Sequence, residues 1–519
     1  MSEYKSKAGK KLLKMLMFST YSDARMIYRE YIQNACDSIN EAVKLNILPQ
    51  KKDGNISVNI DYYNNRVIIK DNGTGIQSEV AESTLIDIAN SKKDGYNTAG
   101  YFGIGRFMGA GFCDKISFRT SYKGETVGTE VVFDNKLADS IIADENDDRS
   151  ATDVIDAITT STTYEEQADE HYFIVTLQDI NPSYPVLLDE NAIAEYLQQV
   201  IQIDYKQAFR NSLIRNSIPN DFASLFSDLD IYQVSLNDII DIRKTYRQTV
   251  TVKSGEDNIR KLHFFKLEDD EFGVLAWGWY GIAEYSGEIK DEDVNRGIRL
   301  RVHNIMIGND NRLNQYFKQT RGNNYFVGEI HIVHRNIIPN TDRSNLAPSP
   351  EAARLEQKFT EYFTNLTQIY NLANDYKNAL KKVSEKEEEI KQAEEEGLDI
   401  EVFQQELDKA KNKVIKLADV SKKGEPEVAK QIINIIKEKY NVFEPTPTPD
   451  KKQQEPLPSP PPPKPKTTDI FEPLKNNFSE DNITLIKRVF NSFSDNCLTK
   501  DQKQLIEELK KKVIKDLGK

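Results

Sequence analysis

The sequence predicts an α+β chain, a layered arrangement of helices and sheets followed by a helical tail. Two observations carry this expectation. Helical and strand patterns alternate through about residue 350, with strand pairs joined by short turns, as layered domains require. Beyond 350 the chain becomes rich in Glu, Lys, Gln and Leu, with apolar residues three and four apart.

The elements follow in order. Residues 24–45 have helical apolar spacing. NISVNIDYY and RVIIKDNG read as two strands joined at Asn64 and Asn65, a hairpin signal. A glycine-rich stretch, GYFGIGRFMGAGF, precedes another strand pair, KISFRTSY and TEVVFD. Residues 136–170 are acidic and Ser/Thr-rich and read as an exposed insertion, after which HYFIVTLQDI is a further strand. These elements form a first domain over 1–189. A second α/β domain is expected over 190–350, with strands at VLAWGWYG, GIRLRVHNIMIG and YFVGEIHIVH.

In 351–442, Leu355, Phe359, Leu366, Ile369, Leu380 and Val383 mark a long helix. Gly397 interrupts it before Leu407, Val414 and Leu417, the pattern of a helical hairpin or coiled coil. Residues 443–468 hold ten of the chain's 19 prolines and read as a semi-rigid tether. Residues 469–519 regain helical spacing, with a capping-box pattern at Thr499 and Gln502. They are expected to form a small unit for assembly or partner binding.

Composition narrows the function. Of 519 residues, 82 are acidic and 69 basic, a net charge of −13 that argues against coating nucleic acid by charge alone. Cys36, Cys113 and Cys497 are far apart, and no metal-ligand spacing joins them to the five histidines. No run approaches the ~20 apolar residues that span a bilayer, and the basic N-terminus lacks the features of a signal peptide. A cytoplasmic protein with no membrane association is expected.

Three short motifs carry chemistry. On the helix MIYREYIQNACDSI, Glu30, Asn34 and Asp37 are spaced i, i+4 and i+7 and share one face. A carboxylate and an amide one turn apart can hold a water and a hard cation together. DNGTGI follows a strand. There Asp71 can accept from an exocyclic amine, while Gly73 and Gly75 permit positive φ and close backbone approach. GYFGIGRFMGAG frees the backbone to wrap phosphates, yet it is neither a Walker A loop nor a strict GxGxxG, since Met108 stands at the third glycine. Each motif alone has an ordinary structural explanation.

Their order, ExxxN then DxGxG then GxxGxG, resembles the GHKL ATPases and is most similar to the heat shock protein 90 family, including the Tyr21-Ser22 pair before the REx₃N core. The resemblance covers about residues 1–350. It implies a Bergerat-type α/β sandwich, ATP and Mg²⁺ as ligands, and ATP hydrolysis. Glu30 would activate the attacking water and Asn34 would ligate Mg²⁺, with Asp37 on the same face. Asp71 would contact adenine in a pocket lined by Gly73 and Gly75. Ser91 and Lys93 would belong to a lid. Gly100, Phe102, Gly103, Ile104 and Gly105 would close on the phosphates. Arg29 would restrain Glu30. In the second domain, IIPNTDRSNL matches the family's NxxR motif, so Arg343 would reach the γ-phosphate after Asn340.

Three features depart from the family. The lid between Asn90 and Gly100 is short. The Gly-Thr strand of the nucleotide site has two candidates, HYFIVTL and Gly128-Thr129. Nothing after 350 resembles the chaperone dimerisation domain. The sequence therefore predicts an ATP-driven clamp, a homodimer acting on a protein partner through its C-terminal helices, either chaperone-like or in a multi-protein defence system. The alternative is a nucleic-acid clamp of the mismatch-repair or microrchidia type, which the acidic total disfavours.

Overall fold

The structure is a computed structural model, and it describes residues 8–13, 23–87, 105–420 and 425–440, with isolated positions between 471 and 515. It divides into two units, 1–443 and 444–519.

The first unit opens with α1 (Met26–Lys44), which presents Ile27, Tyr28, Tyr31, Ile32, Ala35 and Ile39 to an apolar core. The hairpin β1 (Asn55–Asp61) and β2 (Arg66–Asp71) follows, its turn closed by Asn65 in left-handed backbone. Then come α2 (Ser78–Ile86), β3 (Cys113–Ser121), β4 (Val127–Asp134), α3 (Asn135–Ala143), α4 (Ala151–Ile158), β5 (Thr159–Glu165), β6 (Tyr172–Ile180) and α5 (Glu190–Val200).

The expected insertion at 136–170 is folded into this core. Its polar composition belongs to the outer face only. Ala138, Ile141 and Ile142 of α3 and Val154, Ile155 and Ile158 of α4 recur at helical spacing and are buried. A capping box between Ser150 and Asp153 starts α4.

The sheet also continues past residue 189. Strands β7 (Gln233–Leu236) and β8 (Ile240–Asp241) complete an eight-stranded sheet of order β5-β4-β3-β6-β2-β1-β7-β8. β7 runs parallel to β1, and every other pairing is antiparallel. Ile193, Leu197 and Val200 of α5 pack into the same core. The segment after 189 thus builds the first domain before it enters the second.

Within the same compact unit, a second sheeted region with cores of its own, called the second domain below, holds a two-stranded ribbon, β9 (Thr249–Val252) and β10 (Gly255–Asn258), and a five-stranded sheet. The sheet comprises β11 (Lys261–Asp269), β12 (Gly273–Ile282), β13 (Gly297–Val302), β14 (Ile305–Ile307) and β15 (Val327–Ile332), in the order β11-β12-β15-β13-β14. Both faces of the sheet are covered. Trp277 and Trp279 of β12 pack with Phe209 and with Phe222 and Phe226 of α6 (Asn220–Ser227), while Leu275, Tyr280 and Ile282 meet the helices that follow.

Those helices are α7 (Pro350–Glu395), α8 (Glu401–Ala418) and α9 (Pro426–Lys439). The expected helical hairpin is present, turned at Gly397 with φ 70°. Lys386 meets Glu406 at 2.7 Å and Lys411 meets Glu387 at 3.1 Å across it. Leu355, Phe359, Leu366, Ile369 and Leu380 of α7 are buried against the second sheet together with Ile432, Ile433 and Ile436 of α9. This part of α7 therefore serves the chain's own core.

In the second unit, Phe471, Ile483, Phe490 and Ile514 cluster, and the ammonium groups of Lys487 and Lys510 lie over the Phe471 ring. The Pro-rich tether and the Thr499–Gln502 capping pattern lie outside the described residues. Among the described residues, no helix is long and apolar enough to cross a membrane.

Candidate nucleotide site

Helix α1 sets the first wall. Its apolar side is committed to the core, which leaves Glu30, Asn34, Asp37 and Ser38 half-buried at its edge. Ser38 lies one turn beyond Asn34, so the face named from the sequence extends one residue further than expected.

Asp71 ends β2 and is only 4% exposed. Its Oδ1 accepts from the Gly73 amide at 2.8 Å. Burial pushes its carboxyl up to about 7, partly offset by the Gly73 amide and the Ser38 hydroxyl. The Thr74 amide donates to Ser38 Oγ at 3.0 Å, which fastens the DNGTGI turn to α1. Two glycines are required there. A Cβ at Gly73 would stand 2.0 Å from Ser38 Oγ. Gly75 has φ 65°, and its Cβ would stand 1.9 Å from the Ser121 carbonyl oxygen.

The far side of the turn is held by residues that sequence reasoning did not single out. The Ile76 amide donates to Thr120 Oγ1 at 2.8 Å, and that hydroxyl donates to the Tyr172 carbonyl at 3.1 Å. His171 Nδ1 lies 2.7 Å from the Gly73 carbonyl, which can only accept, so Nδ1 carries the proton. β6 pairs directly with β2 and sets Phe173 opposite Asp71. Of the two candidates for the Gly-Thr strand, HYFIVTL is therefore the one beside Asp71. Gly128 and Thr129 lie on β4, separated from β2 by β3 and β6, where Thr129 Oγ1 meets Ser78 Oγ at 2.7 Å.

The glycine-rich loop enters the described residues at Gly105, which opens a short 3₁₀ helix to Gly111. The Gly109 amide donates to the Tyr31 hydroxyl at 3.1 Å and so ties the loop to α1. Ser91, Lys93, Gly100, Phe102, Gly103 and Ile104 lie outside the described residues.

The second domain contributes the loop between β15 and α7. Asn340 closes it: its amide donates to the Asn345 carbonyl at 2.9 Å, and its Oδ1 accepts from the Asn345 amide at 3.0 Å. Arg343 sits inside this loop in left-handed backbone, φ 57°, 7% exposed. Its Nε is 3.9 Å from Glu30 Oε1, an ion-pair distance. The buried Arg29 reaches the same oxygen from Nη2 at 3.1 Å, and that nitrogen also lies 3.4 Å from the Asp342 carbonyl. Glu30 and Arg343, named separately from the sequence, thus meet where the two domains touch.

The donor set is compatible with one nucleotide and a hard cation. A buried carboxylate, with backbone that side chains would fill, suits a flat base bearing an amine. Among the described residues, no group of three or more His, Cys, Asp or Glu side chains could hold a metal ion. Mg²⁺ is commonly held by one or two protein ligands plus phosphate oxygens, and the amide of Asn34, one turn from Glu30, fits that need.

Comparison with known proteins bears on the first domain. Residues 22–161 match the family model of the histidine kinase-, DNA gyrase B-, and HSP90-like ATPases. The chain is 31% identical over 141 residues to the chaperone protein HtpG of Halalkalibacterium halodurans, covering 24% of this chain and 22% of that protein. It is 33% identical over 144 residues to HtpG of Shouchella clausii, covering 24% and 23%. A longer match, 25% identical over 247 residues, is to HtpG of Oceanobacillus iheyensis, covering 42% of this chain and 38% of that protein. The matched stretches thus span under half the length of each of these relatives. The first domain of the chain is of the GHKL type, and its likeness within that superfamily is to the HSP90-like ATPases.

Proposed function

We propose that the chain binds ATP with Mg²⁺, hydrolyses it to ADP and phosphate, and uses the cycle to clamp a protein partner. In this reading the Asp71 carboxylate accepts from the adenine amine, and Gly73 and Gly75 let the base lie against backbone. Glu30 orients the attacking water and takes its proton as the water oxygen bonds to the γ-phosphorus and the bond to the ADP oxygen breaks. Arg343 stabilises charge on the transferring phosphoryl group. Asn34 would hold Mg²⁺, which when bound neutralises phosphate charge. Ser91, Lys93 and the 100–105 loop would close over the phosphates, with Asp37 supporting the α1 face.

The observation that carries this reading is the approach of Arg343 to Glu30 across the domain boundary. A site completed by a second domain couples hydrolysis to domain movement. The movement would act on a protein through a homodimer. Because α7 is committed to the core through Leu380, contacts with a partner fall to the distal hairpin, where Leu398, Val402 and Ile415 are exposed, and to the C-terminal unit. A role as the ATPase component of a multi-protein system, such as prokaryotic defence, fits the same mechanics.

Turnover and nucleotide affinity of three variants test the assignment. Glu30→Ala is expected to keep affinity and lose at least about a hundredfold in turnover. Arg343→Ala is expected to behave likewise, and Asp71→Asn to lose binding. Normal turnover in Glu30→Ala would overturn the reading.

A further inference from the structure

The hairpin formed by β13 and β14 touches both halves of the site. At its turn, His303 and Asn304 take left-handed backbone, φ 50° and 61°, as a two-residue hairpin turn requires. The Asn304 side chain is buried. Its Nδ2 donates to the Asp230 carbonyl at 2.7 Å and the Ile203 carbonyl at 3.5 Å, and its Oδ1 accepts from Lys244 Nζ at 2.7 Å. Asp230 and Lys244 flank β7 and β8, the strands that complete the first domain's sheet, and Ile203 follows α5. Arg301 adds to the anchor. It donates to the Gln199 carbonyl in α5 at 2.9 Å and to the Asn304 carbonyl at 3.0 Å.

The other end of β14 reaches the arginine loop. The Gly308 amide donates to the Arg343 carbonyl at 2.7 Å. Gly308 has φ 69°, and a Cβ there would stand 3.0 Å from the Ser344 carbonyl oxygen. Between the two ends, Met306 packs into the first domain's core and Ile307 into the second's. The strand is short, fully buried and paired along its length with β13. Asn304 and Gly308 are thus separated by roughly 13 Å of extended chain with no soft segment between them.

We propose that Asn304 and Gly308 are positioning residues: the β13–β14 hairpin is a strut that transmits the placement of the first domain to the Arg343 loop and so sets Arg343 against Glu30. This rests on the reading in which Arg343 acts during hydrolysis. The strut explains why a loop arginine can be held in left-handed backbone at a domain boundary. Its carbonyl is fixed from the second sheet, and that sheet is keyed to the first domain through the hairpin turn.

The test uses the full chain. Asn304→Gly removes the anchoring amide, and glycine suits the turn's φ. Gly308→Ala, at the other end, crowds the loop without touching the anchor, and it serves if loss of the Asn304 amide prevents folding. Each is measured for kcat, KM for Mg-ATP and melting temperature, alone and combined with Arg343→Ala. Both variants are expected to lower kcat roughly ten- to a hundredfold, with KM within about twofold, because misplacing a catalytic group by about an ångström has effects of this size. Neither is expected to slow an Arg343→Ala chain further, since residues acting through one another are not additive. An unchanged kcat, or the same fold-loss with and without Arg343, overturns the strut. Full turnover in Arg343→Ala alone instead overturns the reading on which it rests, and the strut with it.

Discussion

Arg343 Nε lies 3.9 Å from Glu30 Oε1, although the two residues belong to different domains. The same oxygen is 3.1 Å from Nη2 of Arg29. One half-buried carboxylate is therefore shared by two buried guanidinium groups, one from its own helix and one from the second domain. Arg29 also reaches the backbone of the arginine loop through the Asp342 carbonyl. The contact between the domains is thus centred on the residue proposed to direct the attacking water. Any anion that draws Arg343 toward itself must compete with Glu30, and that competition links occupancy of the site to the fit of the domains.

Arg29 is expected to favour hydrolysis by helping dock the arginine loop. Arg29→Ala removes both its contact with Glu30 and its contact with Asp342. Turnover is predicted to fall roughly tenfold at unchanged nucleotide affinity, and Arg29→Lys is predicted not to restore it, because an ammonium group lacks the paired Nε and Nη2 donors that both reach Glu30 Oε1. Steady-state turnover beside equilibrium nucleotide binding checks both. A rise in turnover would show that Arg29 restrains Glu30 instead.

Much of this site is legible in the sequence because its signals are local. Glu30, Asn34 and Asp37 are linked by helix periodicity, and Asp71, Gly73 and Gly75 by turn chemistry. Arg343 is found only through resemblance to the family's NxxR motif, whose Asn340 proves to close the loop. What is not legible depends on distant pairing. No short-range pattern announces that residues 233–236 return to pair parallel with β1. The acidic composition of 136–170 hides an apolar stripe that helical periodicity contains. Arg299, Arg301, Glu329 and His331 alternate with apolar residues, as on a strand with one solvated face, yet all four are buried because the connector from 203 to 246 covers that face. The lid between Asn90 and Gly100 stays an expectation.

Asp71 gives the nucleotide site a pH dependence. Its carboxyl is raised to about 7 by burial, against about 4 in an unfolded chain. Between these values the native state binds the extra proton, so Asp71's contribution to stability falls as pH rises from about 4 to about 7. Base recognition needs the carboxylate, so affinity for adenosine, which carries no phosphate, is predicted to rise with pH and level off above about 7. Below that plateau, binding should release a proton. Calorimetry in buffers of different ionisation enthalpy measures this release directly. A flat affinity between pH 5 and 8, expressed as roughly no change over the window, would remove Asp71 from base recognition.

The second sheet carries a buried charge network whose disruption should be costly. Glu329 accepts from Arg301 Nε at 2.5 Å, Lys244 Nζ at 2.9 Å and Tyr246 at 3.1 Å, and also from Tyr205. Burial alone would raise its carboxyl, but Arg301 and Lys244 outweigh that and hold it well below the usual range. Burial, with Arg301 beside it, lowers Lys244 to about 7. Among the described residues Glu329 is thus the sole carboxylate hydrogen-bonded to both cations, and Glu329→Ala leaves Arg301 buried without its counter-charge and Lys244 without its acceptor. Such a loss costs about 3–5 kcal/mol, whereas Glu329→Gln keeps an acceptor and the side-chain volume and should cost less. The network includes Asn304, through Lys244, so the damage should extend to the hairpin that ends beside Arg343. Denaturant unfolding of both variants, with ATP turnover measured where each remains folded, gives the two readouts. The predicted order is wild type, then Glu329→Gln, then Glu329→Ala, in stability and in kcat alike. Equal stability of the two variants would mean that the negative charge and its hydrogen bonds do not hold this joint together.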